Sequence, residues 1–378
     1  MKKIIRFIKK YKIKTLEVCF IDILGNSRSV LVPACRVKEI IKNGMFCDGS
    51  AIGSCETKSS DLKIIPDKQS FFLLPEENRI IIFADTNYNF DPRKALKEIE
   101  NQYRSMGTKI NFGTELEFYL FEINKHANDG LGYFDAIENN YNAALSQIIE
   151  DCKNTPIKIE CVHHECGQNQ FEINFKYSTP VRTADSLVVL KRIIKSRAKQ
   201  NGLFACFEPK PIENMSGSGL HVNMSLSTKT KNIFYSKTSK MHLSEIAHKY
   251  IGGIIDHIGA ITAITNPTQN SYLRLGGGSE APSMVDMGYA DRNSLIRIPK
   301  ATPKSTRIEL RSPDSTCNPY LAFAAILISG QECFCEKPLK LGSTQKLPQS
   351  LSEAMSLLKK DKTISQLIPP EFLNRTLE

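Results

Sequence analysis

The chain has 378 residues, 41% of them apolar and 24% charged, and carries a formal net charge of +10. These proportions are ordinary for a soluble globular protein of one large domain or a few smaller ones. The positive charge is spread along the chain, with no basic block longer than Lys9-Lys10 and its neighbours and no nucleic-acid-binding fingerprint, so nucleic acid is set aside as a partner. The start, "MKKIIRFIKKYKIK", has the charge of a signal-peptide n-region, but Arg6, Lys9, Lys10, Lys12 and Lys14 interrupt any apolar core. The most apolar later stretches run from Tyr250 to Thr265 and from Ser315 to Gln331; the first contains Asp256 and His257, and the second is short of a membrane span. No membrane association is expected. Eleven cysteines without a CxxC pair read as reduced thiols in a cytoplasmic protein.

In chain order, residues 15–34 predict two strands joined around Gly25-Asn26, and 37–44 a short helix stopped by Gly44. Residues 79–86, "RIIIFADT", predict another strand. The helix expected over 91–107 has Pro92 in its first turn and Gly107 after its end, and the domain boundary is placed just before it. Beyond it come strands over 114–123, around "PIKIECVHHE" and "QFEINFKY", and at "GLHVNMSLS". Helices are expected over 136–152, 185–200, 244–264, 318–330 and near 350–360.

Strand alternation then collects charge. Glu115 and Glu117 share one face of strand 114–123, opposite Leu116 and Phe118; Glu172 points away from Phe171 and Ile173. Glu165 follows His163-His164, and His221 opens a strand behind the loop "SGSG". In "STRIELRSPD" (305–314), Arg307, Glu309 and Arg311 share one face. Taken alone, that stretch reads as a solvated edge strand with a surface ladder of weak ion pairs. Five carboxylates and an imidazole, however, cannot converge without cations between them. Hard divalent metals suit such donors, and Arg292, Arg297, Arg307 and Arg311 suit phosphate.

The order and spacing of nine segments resemble the glutamine synthetase family, especially its bacterial type I branch. They are "FCDGSAI", "SDLKIIPD", "GTELEFYLF", "GYFD", "HHECGQNQFEI", "SGSGLHVNMSL", "NPTQNSYLRLGGGSEAP", "RNSLIRIP" and "RIELRSPDSTCNPYLAFAAILISG". The resemblance implies an α+β fold: a small β-grasp-like domain over 1–90 and a catalytic domain over 91–378 with a curved antiparallel sheet and helices. It implies that Glu117, Glu165 and Glu172 hold one divalent metal and Glu115, His221 and Glu309 a second, with Mg2+ or Mn2+ as the ions, two or more per site. Arg274 and Arg311 would hold substrate glutamate, beside Gly217 in the "SGSG" loop. Arg292, Arg297 and Arg307 would face ATP phosphates and the transferred group, with Asn223 and Ser225 in the nucleotide pocket. Asp48, Tyr133 and Glu280 would form the ammonium site, in a homo-oligomeric ring whose active sites lie between subunits.

The sequence also departs from the pattern. Asn223 replaces the second His of the usual HxH, Ser216 replaces a common Asn, and Ala51 replaces the second Ser of "DGSS". The chain stops soon after "LPQSLSEAMSLLKKDK", where typical members continue into helices that join two rings, and no tyrosine follows residue 320 to serve as an adenylylation site. The expected activity is ATP-dependent formation of glutamine from glutamate and ammonia through γ-glutamyl phosphate. Ala51 and the run Gly276-Gly277-Gly278 keep open an alternative in which an organic amine or polyamine replaces ammonia. A non-catalytic relative is disfavoured, because a scaffold has no need for a costly cluster of like charges.

Overall fold

The computed structural model describes residues 1–52, 58, 60–88, 90–123, 129–239, 241–276, 281–331, 345–370 and 373. Thirteen strands and ten α-helices are found among them. The first part holds α1 (Lys2–Lys10), β1 (Thr15–Ile21), β2 (Ser27–Pro33), α2 (Val37–Asn43), β3 (Met45–Asp48), β4 (Asp61–Leu74) and β5 (Arg79–Thr86). The second holds α3 (Pro92–Ser105), β6 (Lys109–Glu122), α4 (Asn139–Cys152), β7 (Ile159–His164), β8 (Gln170–Ser178), α5 (Pro180–Gln200), β9 (Leu203–Cys206) and β10 (Leu220–Ser227). It continues through α6 (Glu245–Asp256), α7 (Ile258–Thr265), α8 (Gln269–Gly276), β11 (Met287–Tyr289), β12 (Ile296–Ile298), β13 (Ile308–Leu310), α9 (Pro319–Gln331) and α10 (Leu351–Lys360).

The five N-terminal strands form a sheet in the order β2-β1-β5-β4-β3, with β1 and β5 parallel. Both faces of this sheet are covered. Leu16, Val18, Ile80 and Ile82 face a small core closed by Ile4 of α1 and Val37 and Ile40 of α2. Cys19, Ile21, Ile81 and Phe83 face the large core built by the rest of the chain. Burial on two faces explains why "RIIIFADT" reads as an unbroken apolar run rather than an alternating one. The expected helix stop at Gly44 is present, with φ of +72°, where an L side chain would be strained.

The second sheet runs β11-β12-β13-β10-β6-β8-β7, with β9 on the far end of β6. Its pairings are antiparallel except β11–β12. Helices α3, α5 and α9 pack on its apolar side, and α9 is buried along almost its whole surface. The expected helix over 244–264 is two helices: the chain breaks at His257, whose Nδ1 lies 2.6 Å from a carboxylate oxygen of Asp361. The lysine-rich start is helix α1, with Ile4 facing inward and its lysines outward. No helix of the described residues is long and apolar enough to cross a membrane.

Arg93 joins the two halves. It has no solvent exposure, and it donates from Nε and Nη2 to Asp185 of α5 at 2.9 and 3.0 Å and from Nη2 to Asp67 of β4 at 3.1 Å. It also donates to Asp85 of β5, while Tyr320 of α9 and Ser70 of β4 donate to Asp185. One cation thus holds strands of the small sheet against two helices of the large core. Removing it leaves Asp185 buried without a counter-charge, so Arg93→Met is expected to destabilise the protein by about 3–5 kcal/mol in denaturant titrations. Lys97, which reaches Asp67 and Asp85 from a partly exposed position, should cost less than about 1 kcal/mol when truncated.

Candidate active site

The polar face of the large sheet is set by cross-strand register. Across β10, β6 and β8 stand His221, Glu115 and Asn174; one step along, Glu117 of β6 faces Glu172 of β8, which faces His163 of β7. On the other side, Arg297 of β12 faces Glu309 of β13, which faces Asn223 of β10. Leu116, Phe118, Phe171, Ile173, Ile308 and Leu310 point the opposite way into the core. The strand expected at 305–314 is only three residues long, but its alternation is as expected, and it is no edge. Glu309 is 0% exposed and Arg311 1%, so a solvated surface ladder is overturned. Arg297 donates to Glu309 at 2.7 Å and Arg311 donates to its other oxygen at 2.6 Å.

A cavity of about 480 Å³ opens on this face, lined by Glu115, Glu117, Glu165, Glu172, His221 and the four guanidiniums of Arg292, Arg297, Arg307 and Arg311, with Tyr133 at its side. Two groups bring three metal-capable donor atoms within 4.8 Å of one another: Glu115, Glu172 and His221, and His163, Glu165 and Glu172. Glu172 belongs to both. Glu117 lies within reach, with one oxygen 3.6 Å from His221 and the other accepting from the Gly219 amide at 2.6 Å. The donor set is mostly hard oxygen and fits a divalent ion such as Mg2+ or Mn2+.

The carboxylates of the cluster are unequally balanced by their neighbours. Burial alone would raise the Glu115 carboxyl, but hydrogen bonds from His221 and Asn223 and the charges of His221 and Arg311 outweigh it and bring it down to about 2. Glu165 goes the other way. Burial, then the carboxylates of Glu117 and Glu172, push it up to about 7. Burial and Arg311 disfavour the charged form of His221, yet the neighbouring carboxylates raise it on balance.

A smaller cavity adjoins the first, lined by Glu117, Ser216, Gly217, Arg274 and Arg311 among others. Gly217 is required there, because a Cβ would stand 2.7 Å from both the Arg274 side chain and the Pro209 carbonyl. Arg274 spends Nη1 and Nη2 on the carbonyls of Ser312 and Arg311 at 2.7 and 3.0 Å, which braces the strand carrying Glu309 and Arg311. A third cavity of about 380 Å³ is lined by Asn223, Ser225, Arg307 and Lys304, and shares Glu115 with the first.

Two expected residues, Asp48 and Glu309, do not line these cavities; Glu309 is sealed behind them by Arg297 and Arg311. Asp48 is exposed on β3, where its carboxylate accepts from the Ser50 amide and hydroxyl at 2.9 and 2.7 Å. Glu280 lies outside the described residues. Conversely, His163, not among the expected site residues, has Nε2 3.2 Å from Glu172 and Nδ1 3.7 Å from Glu165. Its placement two residues before Glu165 was the available signal. Phe134, not singled out in sequence, rests edge-on against His163, with ring centroids 4.7 Å apart.

Carboxylates that suit divalent ions thus stand beside guanidiniums that suit phosphate. Comparison with known proteins makes this specific. The family model for the glutamine synthetase catalytic domain matches residues 89–378, and that for the glutamine synthetase beta-Grasp domain matches residues 12–86. A glutamine synthetase of Pyrococcus woesei is 37% identical over 392 aligned residues, covering 96% of this chain and 88% of its own length. One from Methanosarcina mazei is 38% identical over 347, covering 87% and 78%. Among solved structures, GmaS in complex with ADP superposes with a TM-score of 0.88 at 27% identity, over 100% of this chain and 96% of that one. Glutamine synthetase of Plasmodium falciparum shares the fold, with a TM-score of 0.88 at 22% identity over 100% and 94%. This chain belongs to the glutamine synthetase family.

The raised Glu165 carboxyl yields a pH prediction. Its native value lies above the ordinary one of about 4.5, so between about 4.5 and 7 the native state keeps a proton that the unfolded chain has released. Metal-free protein therefore loses stability as pH rises through that window, and above it only a cation relieves the repulsion. Added Mg2+ or Mn2+ should raise the melting temperature more at pH 8 than at pH 6, and Glu165→Gln should flatten the difference. Equal gains at both pH values would contradict the assignment of Glu165 to a metal-binding cluster.

Proposed function

We propose that this protein is an ATP-dependent glutamate–ammonia ligase that forms glutamine through γ-glutamyl phosphate. The observation that carries the reading is Glu309, a carboxylate sealed from solvent between Arg297 and Arg311, which both line the carboxylate cavity. Such a pairing keeps two guanidinium forks aimed at one place, which suits anions that arrive and leave. Family membership supports both ATP and divalent metal use.

In this reading, Glu117, Glu165 and Glu172, with Glu115, His221 and Glu309, would hold two or more Mg2+ or Mn2+ ions. When bound, these ions neutralise phosphate charge and leave the γ-phosphoryl group open to attack. Arg307, Asn223 and Ser225 line the side that would receive ATP, and Arg292 and Arg297 face the phosphoryl group in flight. Arg311, braced by Arg274 beside Gly217, orients the glutamate so that its side-chain carboxylate attacks phosphorus. An acyl phosphate results, and the arginines stabilise the charge that develops. Ammonium then enters beside Tyr133, loses a proton to a carboxylate, and displaces phosphate as ammonia. Asp48 and Glu280 are the carboxylates we assign to that step. Asp48 stands on the edge strand of the small sheet, so it would serve a neighbouring subunit, which supports a homo-oligomeric ring with shared sites. We place the domain division at 90/91 and the enzyme in the cytoplasm.

The test is phosphate release from ATP by purified protein with glutamate and Mg2+, comparing ammonium with a panel of amines including polyamines. Ammonium-dependent turnover with glutamine as product is expected, and Arg307→Ala should lower kcat at least about 100-fold. Turnover with amines alone would replace ammonia by an organic nitrogen donor. Full metal-dependent turnover by Glu309→Ala would sink the reading.

A further inference from the structure

Asn223 stands where the family resemblance places a histidine, and its amide is committed in two directions. Nδ2 donates to Glu115 Oε1 at 3.1 Å, and Oδ1 accepts from Arg307 Nε at 2.8 Å. The two partners belong to different tasks: Glu115 is among the clustered metal-capable donors, and Arg307 lines the third cavity. Register explains the reach. The residues directly opposite Asn223 are Gly113 on β6 and Glu309 on β13. Gly113 offers no side chain, so the amide extends along the diagonal to Glu115, two residues further on β6. On the other side it meets Arg307, two residues before Glu309.

The bridge needs a donor and an acceptor on one side chain. Asparagine carries a donor and an acceptor on one planar group. A carboxylate in its place could only accept and would repel Glu115. An aliphatic side chain could do neither. With Oε1 held by Asn223 and Oε2 3.1 Å from His221 Nδ1, Glu115 has both oxygens oriented. With Nε held, the Arg307 fork is fixed about its own plane.

We propose that Asn223 is a positioning residue that ties the metal-binding carboxylate Glu115 to the phosphate-binding guanidinium Arg307. It borders the third cavity, and its effect on nucleotide binding runs through Arg307. The inference rests on the proposed roles of Glu115 and Arg307.

The experiment is calorimetric titration of the full-length protein with Mn2+ alone and, separately, with ATP in the absence of divalent ions. Asn223→Leu, and Asn223→Ala, which cannot overfill the sheet, should each weaken both ligands about 10-fold, the loss expected of one hydrogen bond to a charged group. Variants are first shown to melt cooperatively by circular dichroism. A double-mutant cycle separates positioning from general damage. In an Arg307→Lys background, Asn223→Ala should cost no further ATP affinity while still costing Mn2+ affinity; in Glu115→Gln the pattern should reverse. Equal ATP loss in the Arg307→Lys background would mean direct nucleotide contact and overturn the proposal, as would affinities within two-fold of wild type for both ligands. Wild-type protein that binds neither Mn2+ nor ATP would overturn the functional reading of the site and this inference with it.

Discussion

Adjacent residues of a strand point to opposite faces, and the neighbouring strands β13, β10, β6 and β8 obey this with charge on one side and hydrocarbon on the other. Everything in the site depends on that separation. Glu115, Glu117, Glu172, His221 and Glu309 converge only because Leu116, Phe118, Ile173, Val222 and Leu310 anchor the reverse face. A slip of one residue in any of these strands would bury polar groups in the core and lift apolar side chains into the cavity. The apolar packing that stabilises the sheet is thus also what holds like charges together against their repulsion.

That repulsion is unequally relieved. Glu309 is neutralised by two arginines and Glu115 by an imidazole, whereas Glu165 has chiefly other carboxylates beside it and is pushed up to about 7. The carboxylate side suits a cation, and the arginine side suits an anion. A nucleotide with its metal presents both charges in one molecule, and the site has the matching polarity across a few strands.

The small sheet is attached to this machinery by buried charge as well as by hydrocarbon. Arg93 binds aspartates from β4, β5 and α5, and Glu17 of β1 accepts from Arg192 of α5 at 2.7 Å. Asn318, at the start of α9, donates to the Ile23 carbonyl of the β1–β2 turn at 3.1 Å. Such contacts fix orientation because each has a direction, which hydrophobic packing lacks. Asp48 rides on the outer edge of a sheet held in this way.

Much of this was legible in the sequence. Alternation over 114–123 and 170–175 places the carboxylates on one face, and Pro92 and Gly44 mark helix ends that are present. Short strands such as β11 and β12, and the long β4 with its register shift between Pro66 and Phe71, were not legible, because they carry no sustained period. Neither was the break at His257, since a polar residue in an apolar run does not end a helix by itself. By itself the sequence determined which residues share a strand face, for that follows from a period of two. Only the tertiary structure decided that the Arg307–Arg311 stretch is interior, that His163 reaches Glu172, and that Asn223 bridges Glu115 to Arg307. Those facts depend on which strands become neighbours, and neighbours far apart in the chain are chosen by packing, not by local preference.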